Sequence, residues 1–399
     1  MPFIPADVFA DRRRRVRDYL AGHDYQALLV SDPDHFYMLT GFHLDVAPWE
    51  RPVAAVIPAV GEPFLIMNEL STHHLMMARE RGTLHVGNYA LYVEHPRATN
   101  RTHTRDRWLD LLAARLKAWG GFHKGRLAAD RVSTFRGLKT HLPGLVEVGN
   151  AARFLVEMRQ RKYPAELDIM RQAAALTDWG QDRYMNIARP GMLVAELDLE
   201  VAKQMTVEGA ARFSKDRVEV KVWSLSGPAS ASPHGTGADA GARIEKGDGV
   251  VNIIVVRLNG LVVENERTLF VGQPRSDVQR RAYEAATEAN MAAIEKFVEG
   301  VPVAEVDAAA QQVIERHGFG ANIMHRTGHG MGIAGHEFPE DMPFNYRPLM
   351  ENEVYSCEPG VYVYGVGGFR QDDTVIVGKS RPEVITKRSK RLADQTVPV

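Results

Sequence analysis

Residues 325–338 read HRTGHGMGIAGHEF, with two histidines seven apart, His329 and His336, among glycines that let a backbone approach a ligand closely. Imidazoles in that setting suit metal ligation or proton transfer. Carboxylates to partner them stand elsewhere in the chain. In VVENERTLFVG the alternation of side chains along a strand puts Glu264, Glu266 and Thr268 on one face, and Val263, Asn265 and Arg267 on the other. SCEPG adds Glu358 and FRQDDT adds Asp372. An acidic pair on a strand is ordinarily a solvated face. Here Glu264 lies beyond the apolar run VVNIIVV and the strand continues into TLFVG, so the pair is expected to be buried and to need protons, cations or strong donors. His234, central in the loop SGPASASPHGTGADAG, is a second candidate proton carrier, although a lone loop histidine is ordinarily just exposed. Cys357, beside Glu358, faces the other side of its strand and reads as a small core residue.

These groups need a scaffold. QALLVS, VAAVIPAV and EPFLIMN read as strands of one sheet, and STHHLMMARERG and RDRWLDLLAARLKAWGG read as helices, the latter closing on a Gly pair. That pattern gives an α/β N-terminal domain over residues 1–155. Residues 151–179 read as one helix, a break at Pro164 and a second helix entered through it. Beyond come a helix, a strand region at 217–272, another helix and a strand region at 346–378, which gives an α+β domain over 156–399. A faint internal repeat, helices and then strands in each half, suggests two related units facing each other.

Composition narrows the partners. The 399 residues are 45% hydrophobic and carry 49 basic against 50 acidic groups, so a net charge of -1 gives no reason to expect nucleic acid or a membrane as partner. The single cysteine excludes an internal disulfide framework and fits a reducing compartment, with the cytoplasm as the expected location. The N-terminal MPFIPADVFADRRRRVRDYL lacks the apolar core of a signal peptide, no apolar run is long enough to span a bilayer, and the arginine run is expected on the solvated face of a first helix.

Four ordered segments, RQRKYPAELDIMRQAAALTD, GHGMGIAGHE, MENEVYSCEPGVY and GGFRQDDTVIV, together resemble the pita-bread family of methionine aminopeptidase, aminopeptidase P, prolidase and creatinase. DPDHFYMLTGF is similar to the creatinase-type N-terminal domain. The resemblance implies a creatinase-like α/β domain followed by a pita-bread catalytic domain. In the peptidases of that family two metal ions are held by two aspartates, one histidine and two glutamates. The resemblance carries the histidine to His329, the glutamates to Glu358 and Asp372, and the aspartates to Asn252 and Glu264. An asparagine offers one weak oxygen where a bridging charge is needed, so no dinuclear site and no cofactor is expected. A single ion on Glu264, His329, Glu358 and Asp372 remains chemically open.

Where the peptidases carry a threonine before the Arg-Thr pair, this chain has Glu266, as metal-free creatinase does, and His234 precedes Gly247-Asp248 as creatinase's proton carrier precedes its own Gly-Asp turn. The catalytic set so implied is Glu266, His234 and Glu358. His329, His336, Asp372 and Glu264 are expected to bind substrate. Trp49 and Arg51 would be lent across a homodimer interface, unless Trp49 simply belongs to the core or interface. A carboxylate cluster without its metal suits a small planar cation. GFHLDVAPWERPVAAVIP and GHGMGIAGHEFPEDMPFNYRP resemble the ectoine hydrolase branch, which makes the cyclic amidine ectoine the expected substrate, opened to an N-acetyl-diaminobutyrate. Glu340 stands where creatinase has its carboxylate-binding arginine, which disfavours creatine. The rival readings are a metal-dependent Xaa-Pro dipeptidase or aminopeptidase, a creatinase-type amidinohydrolase, and a silent binding module. Retention of Glu266, His234 and Glu358 disfavours the module.

Overall fold

The computed structural model describes residues 3–93, 107–235, 239–338 and 341–399, so Glu340 lies outside the described residues. The chain divides into two compact units, Phe3–Arg159 and Gln160–Val399.

In the first unit, strands β1 (Tyr25–Val30), β2 (Ala54–Pro58), β3 (Phe64–Asn68), β4 (Asn88–Tyr92), β5 (Gly125–Ala129) and β6 (Leu145–Asn150) form one mixed sheet in the order β4-β3-β2-β1-β5-β6. Helices α1 (Ala6–Gly22), α2 (Pro33–Thr40), α3 (Thr72–Glu80), α4 (Arg107–Ala118), the one-turn α5 (Val132–Phe135) and α6 (Leu138–His141), and α7 (Ala152–Met158) connect and flank them. Strands β2 and β3 are buried along their whole length, as a covered sheet requires, and Trp108, Leu112 and Leu116 of α4 share one core cluster with Leu29, Val56, Ile66 and Leu127.

The arginine run of α1 departs from the solvated face expected of it. Arg12 is only 1% exposed and donates to Met38 O at 3.2 Å, and Arg13 donates to Leu39 O at 3.1 Å. The cause is local. The last carbonyls of α2 lack partners within their own helix, and the guanidinium groups of α1 supply donors. Arg14 keeps the expected role, exposed and paired with Asp11 and Asp18.

The second unit runs helices then strands, twice. Pro164 starts α8 (Pro164–Ile187), where a missing N–H costs nothing, and Glu166 reaches back to accept from Tyr163 N at 3.0 Å. Then come α9 (Val194–Arg212), β7 (Val218–Ser226), β8 (Gly249–Leu258) and β9 (Leu261–Val271). The second half has α10 (Asp277–Ile294), capped by Ser276, then α11 (Val303–Arg316), β10 (Val354–Cys357), β11 (Gly360–Val363), β12 (Gly367–Arg370) and β13 (Asp373–Ile376). Strands β7, β8 and β9 are antiparallel neighbours, as are β10 with β13 and β11 with β12. Cys357 sits in the apolar core under α10 and α11. No helix among the described residues is long and apolar enough to cross a membrane.

One turn fixes the site's geometry. Asn259 and Gly260 both take positive φ, 46° and 86°, in a two-residue hairpin between β8 and β9. Pairing runs back from Leu258 opposite Leu261 without a bulge, through Val255 opposite Glu264, to Ile253 opposite Glu266.

Candidate active site

Residues directly opposite in an antiparallel pair project to the same face. Glu264 and Glu266 therefore share a face with Val255 and Ile253, whereas Asn252 pairs with Arg267 on the reverse side. Asn252 Oδ1 accepts there from Arg267 N at 3.3 Å, and Asn265 on that side donates to Thr177 and Asp178 of α8, each at 3.0 Å. The assignment of Asn252 to the first ligand position is thus corrected. The β8 residue facing Glu266 is Ile253, 1% exposed and without any donor atom.

Asp372 reaches the same face by a different device. It and Glu266 exchange backbone bonds, Glu266 N to Asp372 O at 3.3 Å and Asp372 N to Glu266 O at 2.9 Å, so their carboxyls emerge side by side. Arg267 locks this junction from behind. It donates to Glu266 O at 2.8 Å and Asp372 O at 2.5 Å, and its Nη2 meets Asp373 Oδ1 at 2.7 Å. Both Asp372 carboxyl oxygens are buried without a hydrogen-bond partner among the described residues. Burial, joined by Glu266, Glu358, Glu264 and Asp373, pushes its pKa well above the ordinary carboxylate value.

His329 and Glu358 are placed by another pairing. Thr327–Met331 runs beside β10, with Ser356 N donating to His329 O at 2.9 Å and Glu358 N to Thr327 O at 2.6 Å. A Cβ on Gly328 would come within 2.0 Å of Ser356 O, so only glycine permits this approach. The buried Asp307 anchors the segment by accepting from Thr327 N at 2.7 Å. His329 donates from Nδ1 to Gly330 O at 3.1 Å, and its Nε2 lies 3.4 Å from both Glu264 Oε2 and Glu358 Oε1. Burial opposes charging the ring, but Glu264 and Glu358 outweigh it and hold the His329 pKa at about 9. The exposed His336 stacks on His329 with centroids 3.8 Å apart.

Sequence reasoning missed Arg370, which is 2% exposed. Its guanidinium forms a buried ion pair with Glu266, Nη2 to Oε1 at 3.0 Å with a second, closer contact from Nε to Oε2. Nη1 donates to Tyr362 OH at 3.2 Å and to Pro233 O at 3.1 Å. Burial and Arg370 depress the pKa of His325, which leaves it neutral, with Glu358 opposing; its Nδ1–H donates to Arg326 O at 2.7 Å, so Nε2 accepts from Tyr362 OH at 2.7 Å. A chain of bonds thus runs from His325 through Tyr362 and Arg370 to Glu266. The available signal was period-two alternation, which puts Arg370 on one face with Asp372 in GGFRQDDT.

The two central carboxylates are driven apart. Burial raises Glu266 to about 8, with Arg370 opposing and Glu358 and Glu264 adding to the rise. Glu358 also feels burial, but Arg370 and then the protonated His329 lead the charges that outweigh it and bring its pKa below the ordinary value. One carboxyl poised to exchange a proton beside one that stays ionised is the division of labour that acid–base catalysis uses.

The structure brings together Glu264, Glu266, Glu358, Asp372, His329 and His336. His234 is exposed, one residue after the carbonyl that accepts from Arg370, and close enough to His325 for its charge to weigh on that ring. Trp49 and Arg51 belong to the first unit; Trp49 is 76% exposed and Arg51 contacts Glu50 at 2.7 Å.

The donor set does not fit a pair of metal ions. Ile253 offers no ligand between the two positions, and Glu266 is engaged by a fixed guanidinium. For one ion, Glu264, His329 and His336 each present an atom, all within 4.8 Å of one another.

Residues 168–379 match metallopeptidase family M24, and residues 12–161 match the creatinase/prolidase N-terminal domain. The putative dipeptidase YkvY of Bacillus subtilis is 29% identical over 385 residues, 96% of this chain and 99% of that one. The Xaa-Pro dipeptidase of Pyrococcus furiosus is 31% identical over 236 residues, 59% of this chain and 66% of that one. Among solved structures, dipeptidase PepE of Mycobacterium ulcerans superposes with a TM-score of 0.80 at 27% identity over 100% of both chains. The recombinant prolidase of Thermococcus sibiricus gives 0.80 at 26% identity over 96% of this chain and 98% of that one.

Proposed function

We propose, from the premise that this chain belongs to metallopeptidase family M24 and carries a creatinase/prolidase N-terminal domain, that it hydrolyses a C–N bond of a small organic cation without a metal ion. The substrate we infer is the cyclic amidine ectoine. The observation that carries this reading is Ile253 opposite Glu266, with Arg370 as the fixed counter-ion of Glu266 and with Asp372 unpartnered. The carboxyls then lack the ligand geometry for two metals yet remain short of positive charge. A planar amidinium, whose N–H groups match carboxylates in forked geometry, satisfies them.

In this mechanism Glu264, Glu358 and Asp372 hold the amidinium. Glu266 either takes a proton from the water that attacks C2, or attacks C2 itself to form a covalent bond that water then breaks; in both cases the C2–N bond breaks and His234 donates a proton to the leaving ring nitrogen, regaining one from the attacking water. Water is consumed and N-acetyl-L-2,4-diaminobutyrate is released. The enzyme works as a homodimer in which Trp49 and Arg51 of one protomer close over the site of its partner.

The second reading is a metal-dependent Xaa-Pro dipeptidase or aminopeptidase. It is favoured by the relatives, which are named as dipeptidases or prolidases, and by the grouping of Glu264, His329 and His336. Metal analysis of the purified protein, joined to turnover of ectoine and of an Xaa-Pro dipeptide before and after chelation and manganese addition, separates the two. Chelator-resistant ring opening supports the first reading. Dipeptide cleavage that disappears on chelation and returns with manganese establishes the second instead.

A further inference from the structure

The cations around the site are nearly all paired. Arg370 is held by Glu266, Arg267 and Lys390 by Asp373, Lys162 by Glu337 at 3.0 Å, and Arg347 by Glu353 at 2.8 Å. Arg326 is different. Its guanidinium makes no ion pair among the described residues; Nε donates to Gly328 O at 3.2 Å and Nη2 lies 3.4 Å from His336 Nδ1. Those contacts, neither of them to a carboxylate, use two of the five N–H groups, and the side chain is half-buried, where an unmatched positive charge is poorly solvated.

Its position gives that charge a use. The guanidinium touches His336, His336 stacks on His329 at 3.8 Å, and His329 Nε2 stands 3.4 Å from Glu264 and Glu358. The site therefore has a negative end and a positive end separated by two stacked imidazoles. The backbone next to Arg326 is held, because Thr327 N donates to Asp307 at 2.7 Å and Thr327 O accepts from Glu358 N at 2.6 Å.

We propose that Arg326 receives the carboxylate of the substrate, so that the site selects a small zwitterion over a simple cation. The proposal rests on the hydrolytic reading above and names the residue that holds the substrate's anionic end. A guanidinium matches a carboxylate in bidentate fashion, which a lysine cannot reproduce. The competing role is purely local, Arg326 bracing His336.

The test compares acids with their neutral amides. Parent, Arg326→Ala and Arg326→Lys enzymes are assayed on ectoine and its carboxamide, and on an Xaa-Pro dipeptide and its C-terminal amide. For whichever acid the parent turns over, the alanine variant should raise KM on the order of ten- to a hundredfold with little change in kcat, as loss of a charge-assisted contact implies. KM for the matching amide should stay put, and the lysine variant should recover part of the loss. Equal loss on acid and amide, or an unchanged KM for the acid, overturns the assignment in favour of the bracing role. Which acid the parent prefers decides the amidine reading separately, and a parent that turns over neither overturns both.

Discussion

Ile253 and Glu266 face each other across β8 and β9, an apolar side chain set against a carboxyl that is itself almost wholly buried. Buried carboxyls need compensation, and here none comes from β8. It comes from Arg370, which reaches Glu266 from β12, and from His329, which serves Glu264 and Glu358 together. Asp372 is left over. The cluster is thus built around two internal cations, Arg370 and the His329 imidazolium, which leave Asp372 without a partner among the described residues.

Replacing Glu266 by glutamine tests its place in the chemistry. The change keeps the shape but removes the base and most of the nucleophilicity, so turnover should fall on the order of a hundredfold or more. Affinity should change less, since Glu264, Glu358 and Asp372 remain. Calorimetry of ectoine binding beside ring-opening rates separates the two effects. A variant within a few-fold of the parent in turnover would move the catalytic role to Glu358.

Much of this was legible in the sequence, and the reason differs by residue. Alternation in ENERT correctly placed Glu264 and Glu266 on one face, because the strand has no bulge. The fold class followed from segregated helices and strands together with four ordered segments. Asn252 was misplaced because motif matching does not see register, although the Asn259-Gly260 dipeptide is itself a two-residue hairpin signal from which Ile253 opposite Glu266 can be counted. The long-range bonds of Arg12 to α2, and of Arg370 to Glu266 and to the carbonyl before His234, join segments whose meeting no local pattern announces.

Behind the site, Asp373 should govern acid stability. It is fully buried between Arg267 at 2.7 Å and Lys390 at 2.6 Å. Burial alone would raise its pKa, but the two cations outweigh this and hold it far below the ordinary carboxylate value. A depressed folded-state pKa means that the stabilisation is fully present above the unfolded value of about 4 and is lost as pH falls toward the folded one. Asp373→Asn leaves the buried Arg267 and the half-buried Lys390 without their carboxylate and should cost about 3–5 kcal/mol at pH 7. Denaturant melts of parent and variant should converge as pH falls below about 4, and a gap that stays constant to pH 2.5 would show that packing, not charge, is what was lost.

The proposed homodimer is tested at Trp49. An indole this exposed lies outside the buried core, so Trp49→Ala should melt within a few degrees of the parent. If it covers a cationic substrate in the partner's site, KM should rise roughly three- to thirtyfold, the range expected of a partly desolvated cation–π contact. Sedimentation velocity run beside the kinetics supplies the check: full activity in a monomer would rule out a shared site.

The pH profile addresses Glu266 directly. Burial, opposed by Arg370, holds it at about 8, so in the free enzyme the carboxylate that must accept a proton or attack carbon is mostly protonated at neutrality. kcat/KM, which reports the free enzyme, should climb about tenfold per unit up to pH 8 and level above it. A bound amidinium favours the ionised form, so the limb in kcat should lie at lower pH. Arg370→Gln removes the nearest opposing cation and should carry the kcat/KM limb further alkaline, with a correspondingly larger deficit at pH 7 than at pH 9.5. Near-ultraviolet circular dichroism of the variant guards against mistaking unfolding for this shift. A parent limb at pH 4 to 5 would mean that Glu266 is ionised throughout, and one that stays in place when Arg370 is changed would mean that another group sets it.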